Sequence, residues 1–281
     1  LLALAISLAS SASWGISDFL GGLQSRKYPV LGVLAVSQPV GLVLIVLAIA
    51  LFGADPISAD KLAIAFLAGA ASLGGLGAYY SAMATGTVSV VAPIASLGVV
   101  IPVIVGLAEG ETPAALQLVG LVPAIAGVAV LSYEEDPEHA HAARRSILLA
   151  ILAAVSFGVF FTALDAAATE RPGWALLAVR CGGVTGVVIL LLIARPQLRG
   201  IGIGRAAPVL VAIGAFDVLA NALFAVASTK GALPVVAVAS SMYPAFTVAL
   251  AHAVLGERLI PLQWVGVVLA LTGVALIAAG G

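Results

Sequence analysis

The sequence predicts an all-α integral membrane protein whose ten transmembrane helices form two inverted five-helix repeats. Three observations predict it. Of 281 residues, 62% are apolar and only 9% are charged, too few charges to cover a soluble fold of this size. The apolar residues gather in runs of about 20, the length that crosses a bilayer. Runs such as LVLIVLAIALF and GVVILLLIA are apolar on every face, whereas the strands of a membrane barrel alternate. The third observation is an internal repeat, set out below.

Breaks at charge, proline and glycine define the helices in order. The first spans about 2–22 and ends before Arg26-Lys27-Tyr28-Pro29. Its opening, LLALAISLASSASWG, has the small residues of a signal peptide but no basic flank, and it stays apolar through Phe19 and Leu20. The second, 30–52, lies between Pro29 and Gly53, and the third, 62–84, between Asp60-Lys61 and Gly86. The fourth, 87–107, contains Pro93 and Pro102 and stops near Gly110-Glu111-Thr112-Pro113, where the fifth, 114–132, begins.

The acidic, proline-containing run YEEDPEHAHAARRS cannot be buried in lipid. It reads as a polar linker at 133–146 between a first repeat at 1–132 and a second at 147–281. The sixth helix, 147–168, and the seventh, 174–194, are parted by Arg171-Pro172-Gly173. The eighth, 206–229, follows three arginines, Arg195, Arg199 and Arg205. Lys230-Gly231 introduces the ninth, 232–254, and Pro261 opens the tenth, 261–279.

Sliding the chain by 146 residues superposes Gly110-Glu111 on Gly256-Glu257, Leu116-Gln117 on Leu262-Gln263 and Gly127-Val128-Ala129 on Gly273-Val274-Ala275. That register gives 11 identities in the 22 positions from 110 to 131, more than shared apolar composition supplies. An offset of 143 sets Ser13-Trp14-Gly15 on Ser156-Phe157-Gly158. A copy with an odd number of helices enters the membrane in the opposite sense, the inverted arrangement typical of secondary transporters with a midplane site.

These same residues carry a family resemblance. The segment SSMYPAFTVALAHAVLGERLIPLQWVGVVLALTGVALIA at 240–278, its partner GETPAALQLVGLVPAIAGVAVL at 110–131 and the Ser-Trp-Gly at 13–15 resemble the EamA family of the drug/metabolite transporter superfamily. The first half departs at Gly98, in the place of Pro244, and at Thr112, in the place of Arg258. The resemblance implies ten helices, no covalent chemistry, no cofactor, and export or exchange of small metabolites, amino acids or drugs.

Composition excludes other classes. Net charge is −1 and the 12 basic residues are scattered, which leaves no nucleic-acid surface. The single cysteine, Cys181, excludes an internal disulfide, and His139 and His141 lack the further ligands of a metal site. No G-x-S-x-G or H-E-x-x-H motif supports an intramembrane enzyme, and a passive channel stays as the other alternative.

A charge at a helix centre costs about 2.5–3.5 kcal/mol on insertion scales, so such groups face a cavity or pair. Asp217 lies mid-helix with Asn221 one turn later on the same face, a polar stripe suited to a substrate-binding cavity. Asp18 follows Trp14 by one turn, and an indole beside a carboxylate suits a cationic or amphipathic ligand. Neither aspartate has an acidic repeat counterpart, since Asp18 maps onto Phe161 and Asp217 onto roughly Leu73. Tyr79, Tyr80 and Tyr243 are candidate aromatic walls of the same cavity.

Asp165 and Arg180 flank the turn at 171–173 at similar distances, which predicts a structural ion pair between neighbouring antiparallel helices. Glu111 and Glu257 are expected to order short turns. The partners implied are a lipid bilayer, a small-molecule substrate and, through the buried carboxylates, protons as a candidate coupling ion. Eight basic residues fall on one face, Arg26, Lys27, Arg144, Arg145, Arg195, Arg199, Arg205 and Arg258, against Lys61, Arg171 and Lys230 on the other. The positive-inside rule then predicts a multi-pass protein of a bacterial-type inner (plasma) membrane with both termini outside.

Overall fold

A computed structural model describes residues 1–108, 110, 114–131, 140–167, 173–194, 203–228, 230, 236 and 239–280, and every regular element among them is helical. The first half contains α1 (Leu2–Ser25), α2 (Val30–Phe52), α3 (Ala59–Thr85), α4 (Val88–Ser96), α5 (Val100–Ala108) and α6 (Ala115–Leu131). The second contains α7 (Ala140–Ala167), α8 (Gly173–Ala194), α9 (Ile203–Ser228), α10 (Tyr243–Leu250) and α11 (Pro261–Gly280). Seven stretches, in α1, α2, α3, α7, α8, α9 and α11, are long and apolar enough to cross a membrane. Shorter apolar helices at Val88–Pro102, Ala115–Gly127 and Tyr243–Leu255 stand where the fourth, fifth and ninth crossings were expected.

Side chains are distributed for lipid. Large apolar residues point outward, among them Val122, Leu192, Ile193 and Val268. The inward face of α1 is instead polar and small, with Ser7, Ser10, Ser11, Ser13 and Ser17 all buried. Hydroxyls in such a setting seek main-chain acceptors on neighbouring helices. Ser10 Oγ donates to Ala220 O at 2.7 Å and Ser17 Oγ to Ile213 O at 2.8 Å, which fixes α1 antiparallel to α9. That register sets Asp217 level with Ser13.

Helix contacts repeat between the halves. A Cβ at Gly127 on α6 would strike Ala270 on α11, and one at Gly273 on α11 would strike Ala124 on α6. The 146-residue shift exchanges these two contacts, so α6 and α11 meet about a pseudo-two-fold axis. Gly15 of α1 likewise packs on Tyr243 and Thr247 of α10, while its counterpart Gly158 packs on Gly98 and Ile101.

Three local departures from the expected helices have physical causes. The helix α7 begins at Ala140, inside the expected linker, because its Ala-rich, Arg-containing start favours helix where water is available. The helix expected as the fourth crossing is split by a 3-10 turn at Leu97–Val99. Pro102 has no N–H to offer the Gly98 carbonyl, and Gly98 lets the chain approach Ala154 and Gly158 of α7 at the same point. The helix at the place of the expected ninth crossing ends in a π turn, Ala251–Leu255, closed by Gly256 at φ 65°. That left-handed conformation suits glycine and turns the chain sharply toward Glu257.

Candidate functional site

The mid-bundle charges converge from three helices. Arg180 on α8 forms an ion pair through Nη2 with Oδ2 of Asp217 on α9. The guanidinium reaches it past α2, where Gly41 leaves the room. A Cβ there would sit 3.3 Å from Nη1. Arg180 keeps 11% and Asp217 28% of side-chain exposure, so the pair is largely desolvated but not sealed. Asn221 Nδ2 donates to the main-chain carbonyl of Asp217 at 2.7 Å, so the asparagine braces the helix instead of the carboxylate.

Arg180 is expected to pair with Asp165, and the partner that the described residues show for it is Asp217 on α9. Gly69 of α3 opens toward Val179 and Gly183 of α8, and Gly75 of α3 toward Ser156 and Phe157 of α7. Among the described residues, α3 thus packs on both α7 and α8. The side chain of Asp165 lies outside the described residues, as does that of His141 and the whole of His139 and Glu111.

Asp18 stands about one turn toward the Arg26 end of α1 from the level of Asp217. The two carboxylates are close enough to repel each other when both are charged. The Tyr79 hydroxyl lies 3.5 Å from Asp18 Oδ2, and Tyr80 lies within electrostatic reach of Asp18, Asp217 and Arg180. Both tyrosines are buried, whereas Trp14, Asp18, Tyr243, Arg180, Asp217 and Asn221 remain partly accessible on inward faces.

Aromatic rings wall the cluster in two groups. Trp14 meets Tyr243 edge-on at 6.2 Å and Phe224 at 6.2 Å. Tyr79 stacks on Tyr80 at 6.1 Å and meets Phe157 edge-on at 5.8 Å. Phe157 is the repeat counterpart of Trp14, and each aromatic corner joins residues of both halves, Trp14 with Phe224 and Tyr243 and Phe157 with Tyr79. Phe157, Phe224 and Gly41 were not anticipated. The repeat alignment already carries the signal for Phe157, and nothing local marks the other two.

A second junction closes one end of the bundle. Glu257, just beyond the π turn, accepts hydrogen bonds from Val88 N at 3.1 Å, Ser89 N at 3.0 Å and Ser89 Oγ at 2.9 Å. It therefore caps α4, where a carboxylate satisfies free N–H groups and complements the helix dipole. Arg26 joins it at 3.2 Å and also donates to Met83 O at 3.1 Å and Gly86 O at 3.0 Å. One carboxylate of the second repeat thus ties α1, α3 and α4 of the first. Among the described residues no cluster of three potential metal ligands occurs.

Residues 1–133 and 144–279 match the EamA-like transporter family. No curated protein matches the chain. Among solved structures, one described only as "Crystal structure of protein" is similar over 95% of this chain and 95% of its own, with 15% identity and a TM-score of 0.59. At that identity the likeness is one of fold.

Proposed function

The chain belongs to the EamA-like transporter family, and is thus a multi-pass membrane transporter of the drug/metabolite type, and on that premise we propose that it is a secondary carrier working by alternating access. Ten crossings, in repeats at 1–132 and 147–281 joined by a polar linker, are the arrangement that this mechanism uses. The substrate is a small metabolite, amino acid or drug-like molecule. It is held between the halves by Trp14, Asp18, Tyr243 and Asp217, with Tyr79 and Tyr80 behind them and Asn221 bracing α9. Basic residues put the Arg26 face in the cytoplasm of a bacterial-type inner membrane.

One observation carries this reading. Asp18, Arg180 and Asp217 converge at mid-span, where a scaffold helix has no use for charge, and the repeat counterparts of both aspartates are apolar. The reciprocal contacts of α6 with α11 supply a pivot of small residues about which one half can rock against the other. The Glu257 junction lies on the Arg26 face and must break whenever that face opens. A carboxylate exposed in turn to each side also offers a route for proton coupling.

The test is counterflow in proteoliposomes, with substrates first found as ligands that raise the melting temperature of the purified protein. A carrier accumulates labelled substrate transiently against excess unlabelled substrate inside. A channel only equilibrates it, and an enzyme converts it.

A further inference from the structure

The ion pair leaves one carboxylate over. Arg180 and Asp217 neutralise each other, and among the described residues no basic side chain pairs with Asp18, whose polar contact is the Tyr79 hydroxyl. An ionised Asp18 thus gives the site, among the described residues, a single uncompensated negative charge. The accessible surface beside it is aromatic. Trp14 sits one turn away on the same helix face, with Tyr243 and Phe224 against its ring. The face of an aromatic ring attracts a cation within about 6 Å of its centroid, most strongly when water is excluded.

We propose, resting on the reading that this is the transport site, that its ligand is a monovalent organic cation: an ammonium head for Asp18 and a flat apolar body for the Trp14, Tyr243 and Phe224 corner. The charges select against the other classes. An anion meets Asp18 and finds Arg180 already engaged. A zwitterion brings a carboxylate for which no free cation remains. A dication needs a second free carboxylate, and Asp217 is held by Arg180.

The experiment uses the purified full chain in detergent with three probes of similar size: benzyltrimethylammonium, phenylacetate and phenylalanine. Binding is read as a rise in melting temperature and as quenching of tryptophan fluorescence. Benzyltrimethylammonium should bind at millimolar concentration or below, and the other two more weakly. Asp18→Asn should weaken the cation on the order of tenfold or more. Trp14→Leu should weaken it several-fold and Trp14→Tyr restore part of the loss.

Tighter binding of phenylacetate or phenylalanine, no binding of the cation, or undiminished cation affinity in Asp18→Asn would each overturn the proposal. If Asp18→Asn does not fold, Asp18→Glu and the Trp14 pair decide: cation selectivity kept in Asp18→Glu, with cation affinity weakened several-fold in Trp14→Leu and partly restored in Trp14→Tyr, supports it, and any other pattern overturns it. Binding at Asp18 without flux in proteoliposomes defeats the carrier reading and leaves the ligand class standing. Flux of phenylalanine without the cation does the reverse.

Discussion

Arg180 of α8 and Asp217 of α9 form an ion pair through the notch that Gly41 leaves in α2. The pair ties α8 to α9, both of the second half, and Arg180 reaches its partner past α2 of the first. Removing one partner strands the other charge in a low-dielectric site. Arg180→Ala should therefore lower stability by about 3 kcal/mol, the low end for a buried pair, since Asp217 keeps some exposure. Combining Arg180→Ala with Asp217→Asn should recover much of that loss in a thermal or denaturant melt. A parallel cycle of Arg180 with Asp165 should be additive.

Gly41 should be intolerant of bulk for the same reason. Gly41→Leu fills the passage of the guanidinium and should displace Arg180, so its defect should vanish in the Arg180→Ala background. Equal loss from Gly41→Leu in both backgrounds would mean that the notch serves only helix packing.

The crossing of α6 and α11 predicts a sharp contrast between glycines. A Cβ at Gly127 would lie 2.5 Å from Ala270 N, so Gly127→Ala must push two backbones apart and should destabilise by about 1–3 kcal/mol. Gly74 has nothing within 4 Å of its would-be Cβ, and Gly74→Ala should be neutral or stabilising through helix propensity. Melting temperatures of the two variants check it directly.

Glu257→Ala removes three hydrogen bonds to the start of α4 and the contact with Arg26. The loss of a cap of this kind should cost about 1–2 kcal/mol. Ser89→Cys should at the same time become more reactive toward thiol reagents supplied from the Arg26 face, because the junction covers it. Unchanged reactivity would show that Glu257 only shapes its own turn.

Orientation can be read from Lys27, which is exposed in the turn between α1 and α2. In a Cys181→Ser background, Lys27→Cys should resist an impermeant thiol reagent in intact cells and react after permeabilisation. Ready labelling in intact cells would reverse the assignment.

Helix positions were legible wherever chemistry brackets them on both sides. Pro29 and Gly53 delimit α2 at the expected 30–52, and Pro261 starts α11 as expected. The start of α7 was not, since an Ala and Arg run is as compatible with a solvated helix as with a linker. Within the site, Trp14, Asp18, Tyr79, Tyr80 and Asp217 were legible because polarity inside an apolar run has a cost that demands a reason. The partner of Arg180 was not. Chain proximity favoured Asp165, whose side chain lies outside the described residues, and no local pattern links Arg180 to Asp217 on α9. Glu257 was expected to order a turn, and it does so for α4, at a sequence separation of 168 that no local pattern reveals.

A carrier working by alternating access exposes one site to the two sides of the membrane in turn. Asn221 lies beside the charge cluster and is partly accessible, so Asn221→Cys in the Cys181→Ser background reports on the site without a known substrate. Its labelling rate should be measured from each face separately, first with Ser89→Cys and Glu257→Cys cross-linked by a disulfide and then with that link reduced. Alternating access predicts labelling only from the face opposite Arg26 when the link is closed. On reduction, labelling from the Arg26 face should appear and labelling from the opposite face should fall. Gain on one face with no loss on the other, or no labelling from either face in either state, would contradict it.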